Sequence, residues 1–349
     1  MNDIVSRVAA EPRVSLAHLP TPLHALPNLS REIGNISVSV KRDDCTGLAM
    51  GGNKARQLEF YLGEAHHAGA DCVLITGAVQ SNYVRATAAA ARQLGMNCHV
   101  QLEDRVPDVD ATYRRSGNVL LDRLFGATIH SYPEGEDETG ADRQLETIAA
   151  QLRRDGRRPY VIHLGAAYPP RGALGYVDAA AEILSQLSEQ SLRVDDIVIP
   201  SGSSHTHTGL LFGLRALGSP IRVTGICVRR SAEQQHHRVG DCAAKLASLV
   251  GIANVVGDGD IQVYDGSLAP GYGRVSESVW RAIATTAQTE GVLLDPVYSG
   301  KTMAGLLALA VDGYFKPSAS VLFVHTGGVP ALFAYETAFE EFMNASPTP

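Results

Sequence analysis

Two rhythms of apolar and polar positions succeed each other along the chain. Short runs with strand character give way to longer stretches with apolar residues three and four apart. Ile36–Lys41 alternates with period two, as a half-buried strand does. Ala55–Ala68 then sets Leu58, Tyr61, Leu62 and Ala65 on one helical face. Cys72–Thr76 is a continuous apolar run, and Asn82–Leu94 is a helix of small residues that Gly95 stops. The same succession predicts strands at Cys98–Leu102, Thr128–Ser131, Tyr160–Leu164, Asp196–Pro200, Arg222–Val228 and Ser320–His325. It predicts helices at Asn118–Phe125, Asp142–Arg153, Gly175–Leu187, Gly209–Leu217, Glu277–Thr289 and Met303–Asp312. Apolar strands joined through helices imply open parallel sheets covered on both faces, an α/β architecture. No repeat of fixed period is present, which excludes a solenoid. The acidic stretch Pro133–Gly140 (PEGEDETG) is expected to be a surface loop.

Composition narrows the function classes. The chain has 349 residues, room for one large or two ordinary domains. With 45% hydrophobic and 19% charged residues it has ample core material, which excludes a disordered chain. The net charge is -7 and no Lys/Arg-rich block occurs, so neither nucleic acid nor a membrane is an expected partner. Apolar runs such as Gly305–Ala310 are too short to span a bilayer. The opening MNDIVSRVAAEPRV lacks the apolar stretch of an export signal. Five cysteines, an odd number with no CxxC pair, argue against a disulfide framework. A cytoplasmic protein is expected. The histidine pairs His66–His67, His205/His207 and His236–His237 have no HExxH pattern or cysteine partner, so no metal site is expected, and they read as surface or turn-lining residues.

Candidate chemistry collects in four small polar turns after strands, where ligands bind in open α/β sheets. Met50-Gly51-Gly52-Asn53-Lys54 opens a helix. Only five lysines occur in the chain (Lys41, Lys54, Lys245, Lys301 and Lys316), and Lys54 sits in a first helical turn. The positive end of the helix dipole disfavours an ammonium there. A lysine of lowered pKa is a nucleophile for aldehydes. The second turn, Gly77–Asn82, offers Ser81 as a helix cap, and its amides with Asn82 can hold a carboxylate. The third, Ser201–Gly209 (SGSSHTHTG), has free amides, hydroxyls and a helix start, the elements of a phosphate cup. It is neither a Walker A nor a GxGxxG sequence. The fourth, His325-Thr326-Gly327-Gly328, turns a hydroxyl toward the same region.

Six collinear segments together resemble a known family: KRDDCTGLAMGGNKARQLEF, GAVQSNYVRATAAAARQLG, SGSSHTHTGL, APGYG, LLDPVYSGKTMAGL and HTGGVPALF. They are similar to the D-cysteine desulfhydrase / 1-aminocyclopropane-1-carboxylate deaminase family, over nearly the whole chain. The resemblance implies pyridoxal 5'-phosphate as cofactor and the tryptophan-synthase-β fold (fold type II), with two open parallel-sheet domains. It implies a small domain at 55–165, a large one built of 1–54 and 166–349, the cofactor between them, and a homodimer. It makes Lys54 the lysine bonded to the cofactor and brings Asn53 to the ring hydroxyl. Ser203, Ser204, His205 and Thr206 would hold the phosphate, and Thr326 the pyridine nitrogen. Ser81 and Asn82 would bind the substrate carboxylate, and Tyr272 and Tyr298 would stand beside the substrate.

The implied reaction is α,β-elimination of a small β-substituted amino acid to pyruvate and ammonia. Ser299 and Thr326 match the desulfhydrase side of the family, where ring-opening deaminases resemble DPVYEGK and HLGG. The leader LAHLPTPL and KRDDCTGL also resemble cysteate sulfo-lyases, so an altered leaving group is an alternative. A 1-aminocyclopropane-1-carboxylate deaminase and a non-catalytic cofactor-binding protein are the others. Tyr83 stands where the family commonly has histidine, Gly165–Tyr168 replaces a GGSN stretch, and His205 replaces a glycine. Tyr83, Tyr168 and Arg171 are therefore expected to shape the substrate end of the pocket.

Overall fold

The computed structural model describes residues 3–345. The chain begins α1 (Asp3–Ala9), β1 (Leu23–Ala25), α2 (Pro27–Ile33), β2 (Ser37–Arg42), α3 (Lys54–His67), β3 (Cys72–Ala78), α4 (Asn82–Gln93) and β4 (Asn97–Glu103). It continues α5 (Gly117–Leu124), β5 (Thr128–Tyr132), α6 (Glu138–Arg154), β6 (Pro159–Ile162), α7 (Leu174–Glu189), β7 (Asp196–Ser201) and α8 (His205–Ala216). It ends β8 (Arg222–Cys227), α9 (Ala232–Val250), β9 (Gln262–Tyr264), α10 (Glu277–Glu290), α11 (Ser299–Val311), β10 (Ser320–His325) and α12 (Glu336–Ala345).

Two sheets result. One has the order β1-β2-β10-β7-β8-β9, the other β5-β4-β3-β6. Every pairing is parallel except β1 with β2 at one edge. The central strands β3 and β7 are buried at every residue, so they read as continuous apolar runs rather than as alternation. Helices pack closely where the sequence supplies glycine. A Cβ on Gly209 of α8 would lie 2.2 Å from the Ala173 carbonyl oxygen, so α8 rests directly on the start of α7.

The predicted strands and helices all appear, with ends shifted by a few residues. Several further elements were not predicted. Strand β1 has three residues, of which only Leu23 is buried. Helix α9 has 19 residues and was readable in principle. Ser231 and Gln234 form a capping box, and Val239, Cys242, Ala243, Leu246, Ala247 and Val250 line one buried face. The acidic stretch is a partial correction. Asp137 caps α6 through the Gly140 amide, so the helix starts at Glu138, and this carboxylate turns inward to arginines instead of facing solvent.

A buried ion network braces the segment leading to Lys54. The Arg56 guanidinium bonds Asp43 Oδ1 at 2.9 Å, Asp43 Oδ2 at 3.0 Å, and Glu182 at 2.8 and 2.9 Å. Tyr176 also donates to Asp43, and Lys41 to Glu182. The Asp43 carbonyl in turn accepts from the Gly52 amide at 3.0 Å.

Candidate active site

The C-terminal ends of β3, β4, β7 and β10 open on one cleft of about 1100 Å³, continuous with solvent. Ligands bind at this edge of parallel sheets because loops and helix N-termini converge there. Lys54, Ser81, Asn82, Tyr272, Tyr298 and Thr326 all line it.

The turn before Lys54 is forced into its shape. Gly51 has φ +71°, and a Cβ there would stand 1.7 Å from the Asp44 carbonyl oxygen. Only glycine fits such a conformation and contact. Thr46 Oγ1 donates to the Gly52 carbonyl at 2.8 Å, and the Asn53 amide donates to the Thr326 carbonyl at 3.0 Å. Arg85 of α4 donates to the Gly51 carbonyl at 2.8 Å. One guanidinium thus ties the Lys54 turn to the helix that Ser81 caps. The sequence reading missed Arg85, because an arginine inside an alanine-rich helix looks like its solvent face.

Lys54 opens α3 with no hydrogen-bond or ion-pair partner for its amine among the described residues. The amine lies 4.7 Å from the centroid of the Tyr83 ring. Burial lowers its pKa to about 8. The sequence reading expected a lowered value from the helix dipole; desolvation is the cause that acts here.

Asn53 Nδ2 and Gln57 Nε2 both donate to Thr206 Oγ1, at 2.8 and 2.7 Å. With both acceptor positions filled, the Thr206 hydroxyl keeps its proton for an acceptor in the cleft. Ser204 caps α8 in the left-handed region, φ +79°, and Ser203, Ser204 and Thr206 line the cleft. His205 does not. It lines a smaller side cavity, buried, with Nδ1 unpartnered and its pKa pushed down to about 3 by burial, then by Lys54 and Arg238. His207 is also buried, with Nδ1 3.1 Å from Ser201 Oγ. Both are buried, so of the two readings offered by the sequence, surface or turn-lining, the surface one does not hold for this pair.

Ser81 caps α4, its Oγ accepting from the Val84 amide at 3.2 Å. Asn82 accepts from Asn118 Nδ2 at 2.9 Å, leaving its own amide hydrogens toward the cleft side of α4. The Tyr272 and Tyr298 hydroxyls are 2.9 Å apart. Burial, then the Tyr272 neighbour, pushes the Tyr298 phenol well above its ordinary pKa, so it stays protonated at neutral pH. Asp295 orders this loop, accepting from the Val297 and Tyr298 amides at 2.9 Å and from Ser299 Oγ at 2.6 Å. Lys301 donates to the Leu268 and Gly271 carbonyls at 2.7 and 2.6 Å, which fixes the loop of Tyr272.

Two expectations for the substrate end are corrected. Tyr168 stacks on His163, with centroids 3.8 Å apart, and lines the side cavity rather than the cleft. Arg171 is held by Glu11 and Glu64 at 2.6 and 2.7 Å, where it secures the N-terminal segment. Tyr83 does line the cleft, buried and with its hydroxyl unpartnered.

Known proteins carry the same layout. The pyridoxal-phosphate dependent enzyme family matches residues 14–327. The chain belongs to that family. The D-cysteine desulfhydrases of Salmonella typhi and Salmonella newport (strain SL254) are each 42% identical over 324 residues, or 93% of this chain and 96% of theirs. A crystal structure of an ACC deaminase homologue, 36% identical, matches 98% of this chain and 99% of its own with a TM-score of 0.86. A hydrogen sulfide-producing enzyme from Fusobacterium nucleatum shares the fold, at 15% identity and a TM-score of 0.64 over 90% of this chain and 97% of its own.

As a pyridoxal-phosphate enzyme the chain needs a primary amine for the cofactor aldehyde and a cradle for its phosphate. The residues present fit both needs. Lys54 offers an unpartnered, desolvated amine, and the α8 turn offers helix-start amides and the Thr206 proton. Only the neutral amine attacks an aldehyde. Cofactor uptake by the apoprotein is therefore expected to quicken about tenfold per pH unit up to about 8 and then level off. Stopped-flow absorbance after mixing apoprotein with the cofactor at pH 6 to 10 measures this. A flat profile would refute the lowered pKa.

Proposed function

We propose that this cleft performs α,β-elimination on a small β-substituted amino acid, with D-cysteine as the leading substrate and sulfide, pyruvate and ammonia as products. The observation that carries the reading is the lone Lys54 amine between two helix N-termini. The α8 end suits a phosphate, and the α4 end, with Ser81 and Asn82, suits a carboxylate. The 42% identical desulfhydrases support the choice of substrate.

When bound, pyridoxal phosphate supplies an electron sink for charge developing at Cα. The protein supplies the rest. Ser81 and Asn82 at the start of α4 fix the carboxylate. Lys54, with a pKa of about 8, exchanges a proton near neutral pH and would act as the base for Cα. Tyr298, kept protonated by burial and aligned by Tyr272, donates to the departing sulfur. Thr326 and Asn53 line the cleft, where Thr326 would give the pyridine nitrogen a neutral hydroxyl partner and Asn53 would serve the ring hydroxyl. The released enamine hydrolyses to pyruvate and ammonia. Ser299 is consumed by Asp295, which leaves no acid at that position for ring opening.

We also propose that the four-stranded sheet, whose strands fall within 72–162, is the core of a small lobe at 55–165. The rest of the chain forms the large lobe. The protein works as a cytoplasmic homodimer. The test is incubation of the holoenzyme with D-cysteine, with sulfide and pyruvate assayed together. Equal amounts are expected. Tyr298→Phe should lower kcat about 10²-fold, as loss of a general acid does, with KM within about threefold. Products from neither enantiomer of cysteine would sink the substrate assignment.

A further inference from the structure

A base that takes the Cα proton becomes an ammonium, and around Lys54 that ammonium meets no anion. The amine makes no hydrogen bond or ion pair among the described residues, and burial is what lowers its pKa. The three carboxylates that line the cleft are committed elsewhere. Glu103 pairs with Arg105, Glu138 with Arg229 and Arg230, with Arg238 3.6 Å away, and Asp142 lies 3.5 Å from His163. The Tyr272 and Tyr298 hydroxyls bond each other. His205 of α8 feels the Lys54 charge, but burial keeps its imidazole neutral.

The group that Lys54 does face is a ring. Its Nζ lies 4.7 Å from the centroid of Tyr83 on α4, within reach of a cation–π contact. The ring is held firmly, with Tyr83 only 4% exposed. Its phenol cannot act as a counter-ion. The hydroxyl is buried without a partner, and burial, then Tyr61 and Tyr160, hold it well above its ordinary pKa. The contact is therefore with the π face alone. Such a face attracts an ammonium through the ring quadrupole and gives a neutral amine no comparable gain, so it works against desolvation.

We propose that the Tyr83 ring is the partner of the Lys54 ammonium, favouring the charged amine in a cleft that offers it no anion and so making Lys54 a stronger base toward Cα. The proposal rests on reading Lys54 as the base of the elimination and adds a second residue to that step. Removing the ring should then do two opposite things. The amine is neutral more often, which speeds its attack on the cofactor aldehyde. It is also a weaker base, which slows turnover.

The experiment compares the full chain with its Tyr83→Leu and Tyr83→Phe variants. Uptake of pyridoxal phosphate by the apoprotein, followed by stopped-flow absorbance, should level off near pH 8 in the wild type and about one pH unit lower in Tyr83→Leu. At pH 6 the leucine variant should therefore take up cofactor about tenfold faster, whereas a merely damaged cleft would be slower. Tyr83→Phe keeps the ring and should level off with the wild type. With the holoenzyme and D-cysteine at about pH 9, where the amine is neutral in both, Tyr83→Leu should lower kcat about 3- to 10-fold with KM within about threefold. Tyr83→Met, whose flexible side chain refills the space, carries the same tests if the leucine variant does not fold. An unshifted uptake profile overturns the proposal. So does an equal shift in Tyr83→Phe, because the hydroxyl would then be the acting group. A shifted profile with kcat unchanged or raised overturns the assignment to the base. The uptake profile needs no substrate, so a wild type that forms no product from D-cysteine overturns the elimination reading while the profile still decides the contact.

Discussion

Lys54→Ala is expected to abolish turnover, by about 10³-fold or more, and to remove the visible absorption of the bound cofactor at the position of the native holoenzyme. The side chain holds two roles at once, the covalent anchor and the base for Cα, and nothing nearby can substitute. Lys41 and Lys301 are committed to Glu182 and to the Leu268 and Gly271 carbonyls. Lys54→Arg should be equally inactive although it keeps a positive charge, because a guanidinium neither attacks an aldehyde nor deprotonates at neutral pH. The fold should survive. A lysine whose folded pKa lies near 8, below the unfolded value of about 10.4, destabilises the folded state at neutral pH. That penalty is full below about 8 and is relieved as pH rises toward 10.4. Apo Lys54→Ala is therefore expected to melt roughly 2–5 °C above the apo wild type at pH 7. Absorption spectra, steady-state assays and thermal melts of the two variants measure all of this. Appreciable elimination by either variant would remove Lys54 from the mechanism.

Arg56→Met is expected to cost about 3–5 kcal/mol at pH 7, as breaking a buried ion network from one side does. The guanidinium is 1% exposed and holds both Asp43 and Glu182, and among the described residues Asp43 has no other cation within ion-pair distance. Burial by itself would raise the Asp43 pKa, but Arg56, Tyr176 and Lys41 hold the carboxyl below its usual range. A depressed carboxylate contributes stability above its unfolded pKa of about 3.9 and loses it as pH falls through the folded value. The difference between wild type and Arg56→Met should therefore be largest near neutrality and shrink below about pH 4. Urea denaturation at pH 7 and at about pH 2.5 tests it; a gap that stays constant would mean that Asp43 carries no charge in the folded protein. Because the Asp43 carbonyl holds Gly52, the variant should also take up cofactor more slowly.

Much of the fold was legible in local sequence. Strands β3 and β7 and helices α3, α4 and α10 announce themselves, because buried parallel strands and one-sided helices leave continuous or periodic apolar patterns. The short edge strand β1 was not legible, since its partner β2 lies across a helix and only one of its side chains is buried. The glycines before Lys54 were legible as a turn, and Ser81 as a helix cap, because both are local backbone requirements.

The charges were not legible. Sequence shows that Glu138 sits in an acidic run and that Arg229 and Arg230 are adjacent, but these residues meet across 91 and 92 positions. Whether a charge is solvated or paired depends on which surfaces the fold brings together, and no local pattern encodes that. The same holds for Arg85, whose charge is buried against the Gly51 carbonyl, for Tyr168, which turned to His163, and for His205, which lines the side cavity. The lowered pKa of Lys54 has the same origin. Its place at a helix start was written in the sequence, but the desolvation that sets its value near 8 comes from the closing of the cleft around it.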